Sequence, residues 1–113
     1  MPENKIDLLL DRLAQATSDD AIEWNIEPGE WGDPDKYTTS LTRNTLSLWA
    51  KDNDGLPPFI FLIHGPDGQV VEELRGADHR LQMLFDAVRR KVLKVDETLD
   101  QIIIELNRRI SPF

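Results

Sequence analysis

Apolar residues recur at helical spacing near both ends of the chain. At the N-terminal end the spacing of three and four residues begins after Asn4, a residue type that caps helices. The same spacing returns after Asp78, and a second apolar series follows Asp96. The three series are Ile6, Leu9, Leu10, Leu13 and Ala16, then Leu81, Leu84, Phe85, Val88 and Val92, then Leu99, Ile102, Ile103, Leu106 and Ile110. The pattern predicts an N-terminal helix and one or two C-terminal helices, because Asp96 suits either a helix cap or a bend.

Between these helices the apolar residues follow the period of a strand. Ile22, Trp24 and Ile26 alternate with polar residues, and stronger β signals cover residues 37–50 with a turn or bulge near 42–44. The apolar run 59–63 indicates a central strand, and the turn signal 65–68 closes a hairpin onto residues 69–75. The predicted fold is α+β: an antiparallel β-meander of about four strands covered by the N-terminal helix and one or two C-terminal helices. We expect a single domain over residues 1–113.

Composition excludes several kinds of chemistry. The chain has 113 residues, of which 40% are hydrophobic and 30% charged, and it has no cysteine. Disulfides, thiolate metal sites and thiol nucleophiles are therefore excluded. The first residues do not resemble a secretory signal, and the run 59–63 is too short to cross a bilayer. We expect a cytoplasmic protein with no membrane partner.

The negative charge is confined to one part of the chain. The formal net charge is −8. Residues 1–35 hold ten acidic and two basic side chains, and the remainder holds eleven of each. A negative field repels a phosphate backbone, so we expect no nucleic-acid partner. The same field can steer a basic protein toward this surface, or it can simply keep the protein soluble.

Catalytic and metal-binding patterns are sparse. The two histidines, His64 and His79, show no metal-ligand spacing, and no Gly-x-Ser-x-Gly motif frames a serine. Residues 52–55 lack the spacing of a calcium loop. We therefore predict no catalytic residues, no metal and no cofactor. If the chain were an enzyme, a small hydrolase using His64 would be the hypothesis to test.

Features typical of protein-binding surfaces are better represented. Trp31 lies in a loop among Glu30, Asp33 and Asp35, and exposed tryptophans often anchor interfaces. Trp31 can alternatively fold back as a lid on the core. Trp49 has the opposite parity to Leu46 and Leu48, so it should face away from the surface that they cover, either into solvent, under a helix or into a partner.

A basic cluster lies on the first predicted C-terminal helix. It contains Arg89 and Arg90, followed by Lys91 and Lys94. These side chains form either a solvated helix face or a surface that binds the acidic N-terminal third, within one molecule or between two. We include Arg89 and Arg90 among the candidate partner-binding residues, together with Glu30, Trp31, Asp33, Asp35 and Trp49.

Six segments along the chain follow one another in a recognisable order of elements: LLLDRLAQAT (8–17), IEW (22–24), YTT (37–39), GQVV (68–71), LFDAVRRKV (84–92) and VDETLD (95–100). In these segments and their order the chain resembles a group of small uncharacterised bacterial α/β domains, found alone or beside effector modules. The resemblance implies a sheet-and-helix domain and supplies no active site to carry over.

The sequence thus predicts a non-catalytic protein-interaction module. Its partner is expected to be another protein, and both a basic protein and a second copy of the chain fit the pattern. The alternative within binding functions is an acidic inhibitor, immunity protein or chaperone that neutralises a basic partner.

Overall fold

One helix precedes a five-stranded antiparallel sheet, and two helices follow it. The structure is a computed structural model and describes residues 4–31 and 33–110. The elements are α1 (Lys5–Ser18), β1 (Asn25–Glu27), β2 (Lys36–Ser40), β3 (Thr45–Ala50), β4 (Phe59–His64), β5 (Val70–Gly76), α2 (His79–Val92) and α3 (Val95–Ile110). Each strand pairs with its neighbour in sequence, in the order β1-β2-β3-β4-β5. The predicted α+β meander is confirmed.

The predicted number of strands was too low by one. The predicted strand around Ile22 to Ile26 corresponds to β1, a three-residue edge strand in which Asn25 pairs with Thr38 and Ile26 with Tyr37. The alternation from Ile22 to Ile26 predicts a strand that begins earlier than β1. In the structure, residues 19–22 form turns and bends instead. Trp24 lies just before β1, and its side chain is buried. Only the end of the alternating segment is therefore extended beside β2.

The core lies between one face of the sheet and the helices α1 and α2. Leu48, Phe59 and Phe61 are fully buried on the sheet, and Leu84 and Val88 are fully buried on α2. The Phe85 ring stacks on Phe59 at 4.5 Å between centroids and meets the Tyr37 ring edge-on at 5.7 Å. Offset-stacked and edge-on pairs are the favoured arrangements of aromatic rings. They join α2 to both β2 and β4.

A buried hydrogen-bond network fixes the chain between α1 and β1. The Thr17 hydroxyl donates to the Leu13 carbonyl at 2.7 Å and accepts from the Trp24 indole N–H at 3.0 Å. The Thr39 hydroxyl donates to the Glu23 carbonyl at 2.8 Å. Buried polar groups without partners are costly, so these bonds allow the indole and both hydroxyls to enter the core.

Caps and turns form where the sequence predicts them. Asn4 and Asp78 cap α1 and α2, each accepting from a backbone N–H two residues later at 2.8 Å. The Leu41 N–H donates to the Asn44 carbonyl in the turn between β2 and β3. The Gly68 N–H donates to the Gly65 carbonyl in the hairpin turn, where Gly68 has a φ of +81°. Glycine adopts that backbone conformation without steric cost.

The helix α3 stands away from the rest of the protein. Lys94, with a φ of +53°, separates it from α2, and Asp96 lies in its first turn. The Asp96 carboxylate accepts from Arg90 on α2 at 2.7 Å. The Cα radius of gyration is 16.8 Å, whereas a compact chain of this length has a radius of about 13 Å. One or two C-terminal helices are predicted to cover the sheet; two form, and of these only α2 packs on it.

Candidate interaction surfaces

One side of α3 exposes five large aliphatic residues to solvent. Leu99, Ile102, Ile103, Leu106 and Ile110 project within an arc of about 100°, at 100° per residue. We call these five residues the α3 strip. Each keeps between 46% and 75% of its surface exposed, and no residue of α3 is buried. A helix with one apolar stripe ordinarily buries that stripe against another element. Within the described residues, nothing buries the α3 strip.

Ile104 is an exposed apolar residue outside the strip. It is 53% exposed and Ile103 is 54% exposed. Their side chains leave the helix about 100° apart. The two residues therefore match in type, exposure and position along α3, and they differ in the direction that they face.

The acidic loop presents Trp31 to solvent. Trp31 is fully exposed and has a φ of +53°. Of the two alternatives for Trp31, the one in which it folds back as a lid on the core is therefore wrong. Glu30 and Asp33 beside it are also exposed, and the Asp33 N–H donates to the Glu30 carbonyl at 3.0 Å. This loop combines one aromatic ring with two carboxylates that no described core residue covers.

Asp35 has a structural role in the same loop. Its Oδ1 accepts from the Gly29 N–H at 2.8 Å, and its own N–H donates to Asn53 Oδ1 at 3.2 Å. A Cβ at Gly29 would lie 1.9 Å from the Asp33 carbonyl oxygen. Asp35 thus closes a tight loop that requires glycine at position 29, and it is less free to meet a partner than Glu30 or Asp33.

Trp49 lies on the face of the sheet that α1 and α2 leave open. The neighbouring residues Leu48 and Ala50 point into the core, and the half-buried Trp49 points the other way. The Lys36 ammonium lies 4.7 Å from the centroid of the Trp49 ring. A cation over an indole face is an attractive contact, so Trp49 already has a partner within the chain.

The basic residues of α2 are divided among several contacts. Arg90 pairs with Asp96, as described above, and Lys91 pairs with Asp20 of the acidic N-terminal third at 3.2 Å. The Arg89 guanidinium lies beside Gly55, where a Cβ would be 3.1 Å from it. One side of the predicted cluster therefore binds the acidic third within the same molecule, and Arg90 instead ties α2 to α3.

A shallow cleft of about 290 Å³ brings together two of the predicted site residues, Asp35 and Arg89. Tyr37 also lines this cleft. Burial raises the pKa of Tyr37, the positive charge of Arg89 opposes that shift, and Asp35 adds to it. The cleft mixes both signs of charge, so it favours neither anions nor cations strongly. A second cleft, of about 440 Å³, lies between β1 and the end of α2.

His64 ends β4 beside the hairpin turn. Its Nδ1 lies 3.3 Å from the Gly68 carbonyl oxygen, and the His64 carbonyl accepts from the Asn44 amide at 3.1 Å. Neither contact is to a serine or to an acidic side chain. Among residues 4–31 and 33–110, no three His, Asp or Glu side chains converge as metal ligands. The same ranges contain no helix of the length and apolar character needed to span a membrane.

Comparisons with protein-family models, with curated proteins and with solved structures find no match to this chain. The resemblance to small bacterial domains stays a prediction.

The sequence pattern identified the apolar residues of α3 but did not mark them as a binding surface. It assigned them to the helix layer over the sheet, because an apolar stripe is most often core. The one local signal was Ile104, an apolar residue on the side of α3 that a packed amphipathic helix would leave polar.

Proposed function

We propose that this chain is a non-catalytic protein-interaction module that contacts its partner through the α3 strip. The observation that carries the proposal is the exposure of five aliphatic side chains on one side of a helix, a side that no residue in the described ranges covers. Large exposed apolar patches on folded proteins commonly mark interaction sites. A helix that lays its apolar side into a partner is a common mode of protein recognition.

The test uses the absence of cysteine from the chain. Ile103→Cys and Ile104→Cys each introduce one thiol, to which a photoactivated crosslinker is attached. Irradiation in extract of the cells that produce the protein should give crosslinked products from position 103 and few from position 104. Mass spectrometry identifies the products, and each captured protein is then purified and titrated with the wild type and with Ile103→Glu.

The proposal predicts that Ile103→Glu abolishes binding of the purified partner, because a carboxylate would be buried among apolar groups. Ile104→Glu should bind as the wild type does. Equal labelling from both positions, or none from position 103, would show that the α3 strip is not a binding surface.

A second candidate function is supported by the acidic loop. Trp31 is fully exposed between Glu30 and Asp33, which is the arrangement expected of an acidic module that binds a basic protein. Such a complex would form faster at low salt, because charge steers the encounter. Its association rate should fall in the double variant Glu30→Gln/Asp33→Asn.

The matched control for this second function is Asp67→Asn/Glu72→Gln. It removes the same two charges from exposed positions on and after the β4–β5 turn. If both double variants slowed association equally, only the net charge would matter. An association rate independent of salt would exclude charge steering altogether.

A further inference from the structure

We infer that the partner of the α3 strip is the α3 strip of a second copy of this chain, and that the two helices pair antiparallel. This inference rests on the proposed function, because it names the partner of the same surface. It requires that α3 be accessible, self-complementary in shape and self-complementary in charge.

The position of α3 leaves space for a second helix. The principal extents of the molecule are 59 × 41 × 27 Å, and its radius of gyration exceeds that of a compact chain of this length. The α3 strip runs for nearly the whole helix, which is about 24 Å long for 16 residues. A second α3 can therefore lie along it without displacing α1 or α2 from the sheet.

The spacing of the strip suits helix-to-helix packing. Leu99, Ile102 and Leu106 are separated by three and four residues, and Ile103 and Ile110 widen the same side. This is the apolar spacing of two helices that pack side by side. Val95 is half-buried at the start of the helix and extends the apolar side toward α2.

The distribution of charge selects the antiparallel orientation. The first half of α3 contains Asp96, Glu97 and Asp100 and has a net charge of −3. The second half contains Glu105, Arg108 and Arg109 and has a net charge of +1. Parallel pairing would bring the two acidic halves together. Antiparallel pairing sets the acidic half of each helix beside the basic half of the other, and it also opposes the two helix dipoles.

An antiparallel pair also continues the apolar contact to both ends. The midpoint of the helix from Val95 to Ile110 lies between Ile102 and Ile103. A twofold axis at that point places Ile110 at the level of the partner's Val95. Ile110 is the most exposed residue of the strip, at 75%. The same axis places Leu99 at the level of the partner's Leu106, so the strip is complementary to itself, as a symmetric dimer requires.

The first test is self-association of the purified chain of residues 1–113. One helix pair is smaller than the roughly 800 Å² per partner of a standard interface, so the dimer should be reversible on dilution. Sedimentation equilibrium from about 10 μM to about 1 mM should show a monomer that converts to a dimer, as mass action requires. Ile103→Glu should raise the dissociation constant by at least about tenfold, and Ile104→Glu by less than about twofold.

The second test determines orientation by disulfide crosslinking. In the antiparallel pair, Leu99 and the partner's Leu106 share a level, whereas two copies of Leu99 are about 10 Å apart along the axis. A disulfide needs Cα atoms within about 7 Å. A mixture of Leu99→Cys and Leu106→Cys chains should therefore oxidise to the mixed dimer. In a parallel pair, each variant would crosslink to itself.

A wild type that remains monomeric at the highest concentration would overturn the inference. So would equal weakening by Ile103→Glu and Ile104→Glu, or crosslinking of each cysteine variant to itself alone. None of these results would by itself remove the proposed function. That function fails if the crosslinker at position 103 captures no protein, or if it labels no more than the crosslinker at position 104 does.

Discussion

Ile103 and Ile104 are adjacent on α3 and equally exposed, yet they face directions about 100° apart. Neither side chain is packed into the core between the sheet and the helices α1 and α2. Substitutions at Ile104 can therefore serve as controls for the same substitutions at Ile103, in measurements of stability as well as of binding.

We predict that Ile103→Glu and Ile104→Glu each change the free energy of unfolding of the monomer by less than about 0.5 kcal/mol, as is usual for exposed sites. Urea denaturation at a concentration below dimerisation measures this change. A selective loss of more than about 1 kcal/mol in Ile103→Glu would mean that the strip packs on its own chain in solution.

Removal of α3 should leave the rest of the protein folded. No residue of α3 is buried, and its ion pair with the body, Asp96 to Arg90, is largely exposed. Exposed ion pairs contribute little stability. A chain of residues 1–94 should therefore unfold at nearly the same urea concentration as the full chain. Circular dichroism should show the loss of one helix, and a non-cooperative transition would contradict the prediction.

The Thr17 hydroxyl should be required for stability, because it satisfies the buried indole of Trp24. Thr17→Val keeps the shape of the side chain but leaves the Trp24 N–H without this acceptor. The expected loss is roughly 1–3 kcal/mol, the cost of an unsatisfied buried donor. Thr17→Ser retains the hydroxyl and should recover most of the stability, apart from the effect of one missing methyl group. Equal losses in both variants would indicate packing rather than hydrogen bonding.

Local patterns predicted most of the fold because they reflect local causes. Asn4 and Asp78 cap helices by contacts within two residues, and the turn at Gly65–Gly68 depends on residues inside it. The alternation along β3 placed Trp49 on the face opposite Leu48, as the structure shows. Such features need no knowledge of distant parts of the chain.

The candidate site depended on packing that the sequence does not reveal. The strip on α3 has the same spacing as the buried side of α2, so periodicity alone could not show that one is covered and the other is not. The sequence pattern around Trp31 fits an inward-facing ring as well as an exposed one. The conformation of its loop depends on the hydrogen bond between Asp35 and Gly29, which the pattern does not reveal. The pairing of Lys91 with Asp20 joins residues far apart in sequence. These outcomes are set by tertiary contacts.

Asp35 should contribute to stability where Asp33 does not. Asp35→Ala removes the acceptor of the Gly29 N–H, so the loop loses one of the two hydrogen bonds that Asp35 makes. The other, from the Asp35 backbone N–H to Asn53, is kept. The expected cost is about 1 kcal/mol, typical of one hydrogen bond. Asp33→Ala, in the same loop, keeps its backbone bond to Glu30 and should melt as the wild type does. Thermal denaturation of the two variants checks this, and an equal fall in melting temperature would refute a specific role for Asp35.

Stability should fall at alkaline pH through the ionisation of Tyr37. Burial raises the pKa of Tyr37 above its ordinary value of 10.0. Above pH 10 the unfolded chain therefore releases this proton while the folded chain still holds it, and the free energy of unfolding decreases as pH rises toward the folded pKa. One such group contributes a slope of at most about 1.4 kcal/mol per pH unit.

Two measurements test this prediction. Tyr37→Phe should remove part of the alkaline loss of stability and leave the pH dependence below about pH 9 unchanged, because the phenol is neutral there in both states. Tyr37 is the only tyrosine, so the absorbance of its phenolate reports its titration directly in the folded protein. If the titration midpoint of Tyr37 in the folded protein lay at or below its ordinary pKa, burial would not be the factor that sets its pKa.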